Sequence, residues 1–131
     1  MSRRLIRRAV VTVVAAVCTT LTGTAASAAR ADVVPPSAPH LIYYQGYYCL
    51  TLIVGVDRST DNRTPQSALL YEVFANGVRI GTMPDNGAYS GVFSIQHLTQ
   101  VGQNSLTVKA VDQAGNRSRP SEARAVTGFA C

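Results

Sequence analysis

The sequence contains no tryptophan and only two histidines, His40 and His97, so it offers few groups that could act as a near-neutral base. It also lacks the Gly-x-Ser-x-Gly, His-Glu-x-x-His and glycine-rich phosphate-loop motifs. His40 adjoins a proline-rich segment, and His97 falls at the end of a predicted strand, where a histidine at the rim of the fold is the simpler interpretation. We therefore expect a noncatalytic protein with no catalytic residues and no cofactor.

An excess of one charge is also missing once the first 31 residues are set aside. The whole chain has 12 Lys plus Arg against 7 Asp plus Glu, a formal net charge of +5. Residues 1–31 contain five arginines and no acid, so the remaining 100 residues are formally neutral. A neutral surface with scattered arginines lacks the basic stripe of nucleic-acid-binding proteins, and we expect no nucleic-acid partner.

Residues 1–31 are typical of a secretory signal peptide. A basic start precedes the apolar run Ala9–Val17, and small residues follow it, ending in Ala26-Ser27-Ala28. The apolar run is shorter than the roughly 20 residues that a permanent membrane span needs. Cleavage after Ala28 and cleavage after Ala31 both fit the pattern. The sequence thus predicts a secreted, extracellular protein that is not membrane-bound after cleavage, and the alanine-rich signal indicates a bacterium.

Cysteine is scarce, with three residues in all. Removal of the signal peptide takes Cys18 away and leaves Cys49 and Cys131. An even pair in an oxidising compartment predicts one disulfide bond. Two cysteines alone cannot complete a tetrahedral zinc shell, so no metal site is predicted from them.

The remaining chain divides into a proline-rich lead-in, residues 32–39, and one folded domain, residues 40–131. Short runs of β-branched and aromatic residues recur between Gly, Asn and Asp, as in an antiparallel sandwich. Asn76-Gly77 predicts a two-residue hairpin turn. The predicted strands are a first one turning at Gly46, then Leu50–Val56, Leu69–Ala75, Val78–Gly81, Val92–Ile95, Leu106–Ala110 and a closing strand Ser121–Phe129.

Four sequence segments resemble the fibronectin type III domains of secreted bacterial proteins, and the resemblance covers about residues 36–127. The segments are Pro36-Ser37-Ala38-Pro39, Ser59-Thr60-Asp61-Asn62, Tyr71–Gly77 and Ala110–Ser118. The resemblance implies an all-β, seven-stranded antiparallel immunoglobulin-like sandwich that serves as a noncatalytic binding or interaction module. It also implies that Cys49 and Cys131 lie at the same pole, close enough to bond.

Four of the six tyrosines, Tyr43, Tyr44, Tyr47 and Tyr48, lie within six residues and form the candidate ligand-binding group. They could stack on sugar rings or anchor a protein partner. Alternatively, strand alternation could send half of the rings into the core. The expected partner is an extracellular protein or polysaccharide, and a carbohydrate-binding module is one alternative function.

Three loops are expected to form a contact surface at one pole: Asp57–Asn62, Pro84–Tyr89 and Asp112–Arg117. Oxygen-bearing residues concentrate there, and calcium could use them. Turn chemistry explains the same residues, and the neighbouring Arg58, Arg63 and Arg117 would oppose a cation, so we predict no metal. A secreted enzyme inhibitor presenting a loop such as Met83–Asn86 is a further alternative.

Overall fold

A computed structural model describes residues 30–85 and 90–131. Apart from Arg30 and Ala31, the predicted signal peptide lies outside the described residues, as does the loop portion 86–89. In chain order, the described residues form seven strands and one 3-10 turn: β1 Leu41–Gly46, β2 Thr51–Asp57, the 3-10 turn Gln66–Ala68, β3 Leu70–Ala75, β4 Val78–Pro84, β5 Gly91–His97, β6 Gly102–Val111 and β7 Arg124–Gly128.

The seven strands form two antiparallel sheets that pack face to face. One sheet has three strands in the order β1-β2-β5, and the other has four in the order β4-β3-β6-β7. The chain crosses from one sheet to the other after β2, β4 and β5, and the two packed sheets form an immunoglobulin-like sandwich. The predicted fold class is confirmed.

Alternation along β2 builds the centre of the core. Leu52, Val54 and Val56 are fully buried, whereas the residues between them face away from the other sheet. They meet Tyr71 and Val73 of β3 across the interface, and these two are also fully buried. Burial of each such side chain contributes roughly 1.5–3 kcal/mol, so the alternating pattern supplies much of the driving force for folding.

The hairpin between β3 and β4 turns at the predicted Asn76-Gly77. Both residues have positive φ, 51° and 80°, as a two-residue type I′ turn requires. The second strand of the hairpin is longer than predicted: β4 continues past Gly81 to Pro84, and Met83 is a fully buried core residue.

The closing strand begins later than predicted, at Arg124 instead of Ser121. Before β7, two serine hydroxyls accept hydrogen bonds that the backbone carbonyls of a paired strand would otherwise accept. Val108 donates its N–H to Ser121 Oγ at 3.0 Å, and Ala110 donates to Ser118 Oγ at 2.9 Å. Pro120 lies between the serines and has no N–H to donate, so side-chain acceptors replace regular strand pairing here.

The lead-in is extended and lies against the pole of the sandwich where β2 ends. Ser37 donates its N–H to the Thr60 carbonyl at 2.8 Å, and its hydroxyl accepts from the Thr60 N–H at 2.9 Å. Pro36 and Pro39 are buried. No helix within residues 30–85 and 90–131 has the length and apolar character to cross a bilayer.

The two cysteines meet at the opposite pole, as the resemblance implied. A disulfide joins Cys49 to Cys131, their α-carbons 4.2 Å apart and 82 positions apart in sequence. Nearby, the Leu50 N–H donates to the Phe129 carbonyl at 2.8 Å. The bond thus ties the start of β2 to the segment that follows β7.

Replacing both Cys49 and Cys131 with serine is expected to lower the free energy of unfolding by up to about 4.5 kcal/mol, because a loop of more than 80 residues is released in the denatured state. Urea titration followed by circular dichroism measures the loss, and reduction of the wild-type protein should reproduce it. A loss below about 1 kcal/mol would show that the link contributes little.

A buried carboxylate lies on the outer side of the four-stranded sheet. Glu72 is 3% exposed and accepts hydrogen bonds from Arg117 Nε at 2.9 Å, Arg117 Nη2 at 3.1 Å and Arg79 Nη1 at 3.0 Å. The bonds from Arg117, followed by those from Arg79, hold the pKa of Glu72 below its ordinary 4.5 against the opposing effect of burial. The ionised form is therefore the one that stabilises the fold.

Glu72→Gln should lower the free energy of unfolding at pH 7 by roughly 1–3 kcal/mol, since hydrogen bonds to a charged group are lost. Because the pKa of Glu72 is lower in the folded state, its stabilisation is fully present above about pH 4.5, the ordinary pKa of the group. The stabilisation disappears as the pH falls through the folded-state pKa. Urea titrations at several pH values should show the free energies of unfolding of wild type and variant converging in acid.

The control is Glu122→Gln, which removes an exposed ion pair with Arg124 and should lower the free energy of unfolding by less than about 1 kcal/mol. An equal effect of both substitutions would contradict this account.

Candidate binding surfaces

The tyrosine group is divided between the core and the surface. Tyr44 pairs with Val54 in the β1–β2 register and packs against the core. Tyr43, Tyr47 and Tyr48 are exposed. Strand pairing therefore turns the Tyr44 ring toward the core, and the other three rings are the exposed candidates for contact with a ligand.

A β-bulge in β1 adds an apolar residue to the surface. The register with β2 shifts between Leu41 and Tyr43, so Leu41 faces the core while both Ile42 and Tyr43 are exposed. Regular alternation would have turned one of these two neighbours inward. Ile42 extends toward β5, because a side chain added at Gly91 would stand 2.7 Å from Ile42 Cδ1.

The outer face of the three-stranded sheet is consequently apolar apart from Gln45, which is exposed and pairs with Ile53. We call it the apolar sheet face, and its residues are Ile42, Tyr43, Ile53, Phe93 and Ile95. Tyr43 and Phe93 pair with Gly55 from opposite sides, and Ile53 pairs with Ile95. Four of the five, all but Ile53, are between 41% and 66% exposed.

Within β1, β2 and β5, the charged or titratable side chains near this face lie only at the strand ends. Asp57 follows the last buried residue of β2, and His97 ends β5 at the rim, where it is exposed as the sequence predicted. Large contiguous exposed apolar patches on protein surfaces mark interaction sites. The face has the composition of an interface centre, which is poor in charge and rich in aromatic residues.

Tyr47 continues this surface toward the disulfide pole. The Tyr43 and Tyr47 hydroxyls lie 3.2 Å apart within hydrogen-bonding distance. This hydrogen bond is the main cause of a raised pKa at Tyr43. The pair presents two rings whose polar groups satisfy one another and can also meet a ligand.

A second aromatic group stands at the disulfide pole itself. The Tyr48 ring lies 6.3 Å from the Phe129 ring, tilted by 50°, and Tyr48 is 79% exposed. Gly46, Tyr47, Tyr48 and Phe129 line a cavity of about 160 Å³. That volume is below the roughly 300–1,000 Å³ of enclosed small-molecule sites, so the group suits an extended surface ligand better than a small metabolite.

The opposite pole brings together acidic residues from three segments. One carboxylate oxygen from each of Asp32, Asp61 and Asp112 lies within 4.8 Å of the other two. The predicted convergence of Asp61 and Asp112 is thus present, but Asp32 was not anticipated and Asp57 stands apart as an exposed residue. No motif marks Asp32, because its position depends on how the lead-in lies against the loops.

The loop proposed for an enzyme inhibitor is not an exposed loop in its described part. Met83 and Pro84 belong to β4, and Met83 and Asp85 are buried. Asp85 accepts hydrogen bonds from Arg58 Nε at 2.7 Å and Nη2 at 3.1 Å. Asn86 and the rest of the predicted contact loop to Tyr89 lie outside the described residues.

Comparison with known proteins shows the fold. No protein-family model matches the chain, and no curated protein matches its sequence. The spore cortex lytic enzyme SleM of Clostridium perfringens superposes with a TM-score of 0.54 and 17% identity, over 72% of this chain and 29% of SleM. The fibronectin(III)-like modules of Clostridium thermocellum CbhA superpose with a TM-score of 0.54 and 15% identity, over 75% of this chain and 48% of theirs. The chain spans less than half of either structure, and at these identities the likeness extends to architecture alone.

Gly55 permits the ring of Phe93 to lie across β2, since a side chain at position 55 would collide with Phe93 Cδ1 and Cε1. Alanine in place of an ordinary strand glycine gains roughly 0.5–1 kcal/mol. Gly55→Ala should instead lower the free energy of unfolding by about 1–2 kcal/mol, measured by urea titration, because the ring is displaced. In a Phe93→Ala background the same substitution should be neutral or stabilising. A gain in the wild-type background would show that the ring does not occupy this place.

Proposed function

We propose that this protein is a secreted, noncatalytic binding module that docks an extracellular protein on its apolar sheet face. The observation that carries the proposal is the convergence of exposed apolar side chains from three adjacent strands, without a charge between the ends of the face. Its likeness to a fibronectin(III)-like module supports a role without catalysis.

Energetic considerations favour an interface on this face. Full burial of an isoleucine or phenylalanine side chain contributes roughly 1.5–3 kcal/mol, and Ile95 alone is 66% exposed. The sheet beneath is rigid, because β2 is paired on both sides and its inner face is fully buried. Little conformational freedom is lost on binding to such a surface, which lowers the cost of association.

The composition of the face favours a protein over a polysaccharide. Three of its five residues, Ile42, Ile53 and Ile95, are aliphatic. Sugar recognition relies on ring stacking and on polar groups placed to bind hydroxyls, whereas aliphatic side chains are best desolvated by the apolar surface of a protein. The partner expected here presents an apolar patch surrounded by polar groups.

Affinity capture from the native culture medium tests the proposal with three forms of the mature protein. Ile95→Glu places a charge in the middle of the face, and Val78→Glu does the same at a similarly exposed residue, 61% against 66%, on the other sheet. Wild type and Val78→Glu should retain the same protein, and Ile95→Glu should lose at least tenfold in retention while keeping its circular dichroism spectrum. Equal retention by all three forms, or retention of no protein, would reject docking on this face.

A polysaccharide ligand is the second candidate, because Tyr48 is 79% exposed beside Phe129. Sugar rings can stack on the flat apolar faces of such aromatic side chains, while the tyrosine hydroxyl remains free to form a hydrogen bond. Pull-down on chitin, cellulose and cell wall should then retain wild type and Ile95→Glu, and Tyr48→Ala should be lost from the pellet. Absence of wild-type protein from every pellet would remove this candidate.

A further inference from the structure

The β1–β2 turn at the disulfide pole adopts a backbone conformation that its residues disfavour. Cys49 and Leu50 both have a φ of 57°, in the left-handed region. Within residues 30–85 and 90–131, the only other non-glycine residue with positive φ is Asn76, a residue type that tolerates this region. For other residue types the left-handed region is disfavoured by roughly tenfold in population, so two such residues in succession mark a strained segment.

We propose that this turn is a thiol-sensitive switch. The bond between Cys49 and Cys131 holds the turn in its strained form and keeps the rings of Tyr48 and Phe129 together. Reduction of the bond lets the turn relax and releases the chain end that carries Phe129, while the sandwich itself stays folded. The switch acts at the disulfide pole and does not depend on docking at the apolar sheet face.

Two backbone hydrogen bonds accompany the disulfide in joining the turn to the chain end. The Leu50 N–H donates to the Phe129 carbonyl at 2.8 Å, and the Cys49 N–H donates to the Ala130 carbonyl at 3.4 Å. β7 ends at Gly128, so the three residues after it belong to no strand. Chain ends without strand pairing are the first parts of a domain to fray, and this end is expected to detach once the sulfur link is broken.

The hairpin can relax without disturbing the core. The β1–β2 register ends with Gly46 opposite Leu52, which leaves residues 47–51 to form the connection. In the oxidised form the Tyr47 N–H donates to the Thr51 carbonyl at 2.7 Å and closes the turn tightly. Two-residue turns with positive φ at both central positions favour Asn-Gly, whereas longer connections are commonly built around a type I turn, which most residues adopt. A longer loop of this kind therefore removes the strain and keeps Gly46 paired with Leu52.

Both cysteines are exposed residues, so a small thiol can reach the bond. The thiolate of glutathione attacks one sulfur atom, and the other sulfur leaves as a thiolate. A second glutathione attacks the mixed disulfide, which yields two protein thiols and one oxidised glutathione, so two electrons pass to the protein. Strained or exposed disulfides are the ones that take part in such exchange, because structural bonds resist it.

Reduction changes the binding surface at this pole. The rings of Tyr48 and Phe129 lie 6.3 Å apart, and both residues line the cavity of about 160 Å³. Tyr48 adjoins Cys49, and Phe129 lies two positions before Cys131, so release of the bond separates the two rings and removes one wall of the cavity. A ligand that stacks on both rings would therefore bind the oxidised form in preference to the reduced form.

The redox equilibrium of the mature protein measures the strain. Wild type, Leu50→Gly and Leu50→Ala are equilibrated with glutathione buffers, and alkylation followed by mass spectrometry gives the reduced fraction. Both substitutions remove the contact of Leu50 with the core, but glycine alone relieves the left-handed strain. Because that strain is present only in the oxidised form, the equilibrium constant for reduction should be at least about fivefold smaller in Leu50→Gly than in Leu50→Ala. Equal constants would overturn the proposal.

Nuclear magnetic resonance of the oxidised and reduced wild-type protein shows how far the change extends. Reduction should move the amide signal of Leu50 and abolish the Overhauser contact between the Tyr48 and Phe129 rings. The amide signal of Ala110, which donates to Ser118 Oγ, should stay in place. A ring contact that persists after reduction would show that the switch does not open. Loss of the signals of the whole sandwich would show global unfolding, and either result would reject a local switch.

Discussion

The pleat of β2 constrains every other surface of this molecule. Leu52, Val54 and Val56 are buried without any exposed area, and successive side chains of a strand point to opposite faces, so Ile53 and Gly55 must face outward. A slip of one residue would exchange the two sets and is excluded by the cost of exposing the core. The apolar sheet face is thus the reverse side of the strand that holds the sandwich together, and it shares the rigidity of that strand.

Charge is distributed unevenly although the 100 residues after the predicted signal are formally neutral. Buried Asp85 and Glu72 are each met by arginine, which fixes the end of β4 and the outer side of β3. The apolar sheet face carries almost no charge, and three aspartates meet at the pole where the lead-in lies. Net charge alone conceals this arrangement, because opposite charges pair on one side of the molecule and like charges gather on another.

The sequence was sufficient wherever local chemistry decides structure. Alternation predicted β2, Asn76-Gly77 predicted the hairpin turn, and two remaining cysteines predicted the disulfide. Features that depend on distant parts of the chain could not be predicted in the same way. The bulge that exposes Ile42 beside Tyr43 depends on pairing with β2, and the late start of β7 depends on serine hydroxyls reaching β6. Asp32 joins the acidic cluster only because the lead-in packs against two loops, and no residue pattern encodes that contact.

The position of the Cys49–Cys131 link has a mechanical consequence. β1 runs from the pole of the lead-in to the pole of the disulfide, and Cys49 follows it by three residues. Tension between the lead-in and Cys131 would therefore travel along a strand that is already extended and leave through the sulfur atoms. The 82-position segment that the link closes lies outside this covalent path and shares the load only through noncovalent contacts, such as the hydrogen bonds between Ser37 and Thr60. A pull between these two points would therefore lengthen the domain little, because β1 is already extended and the sulfur link bypasses the rest of the sandwich.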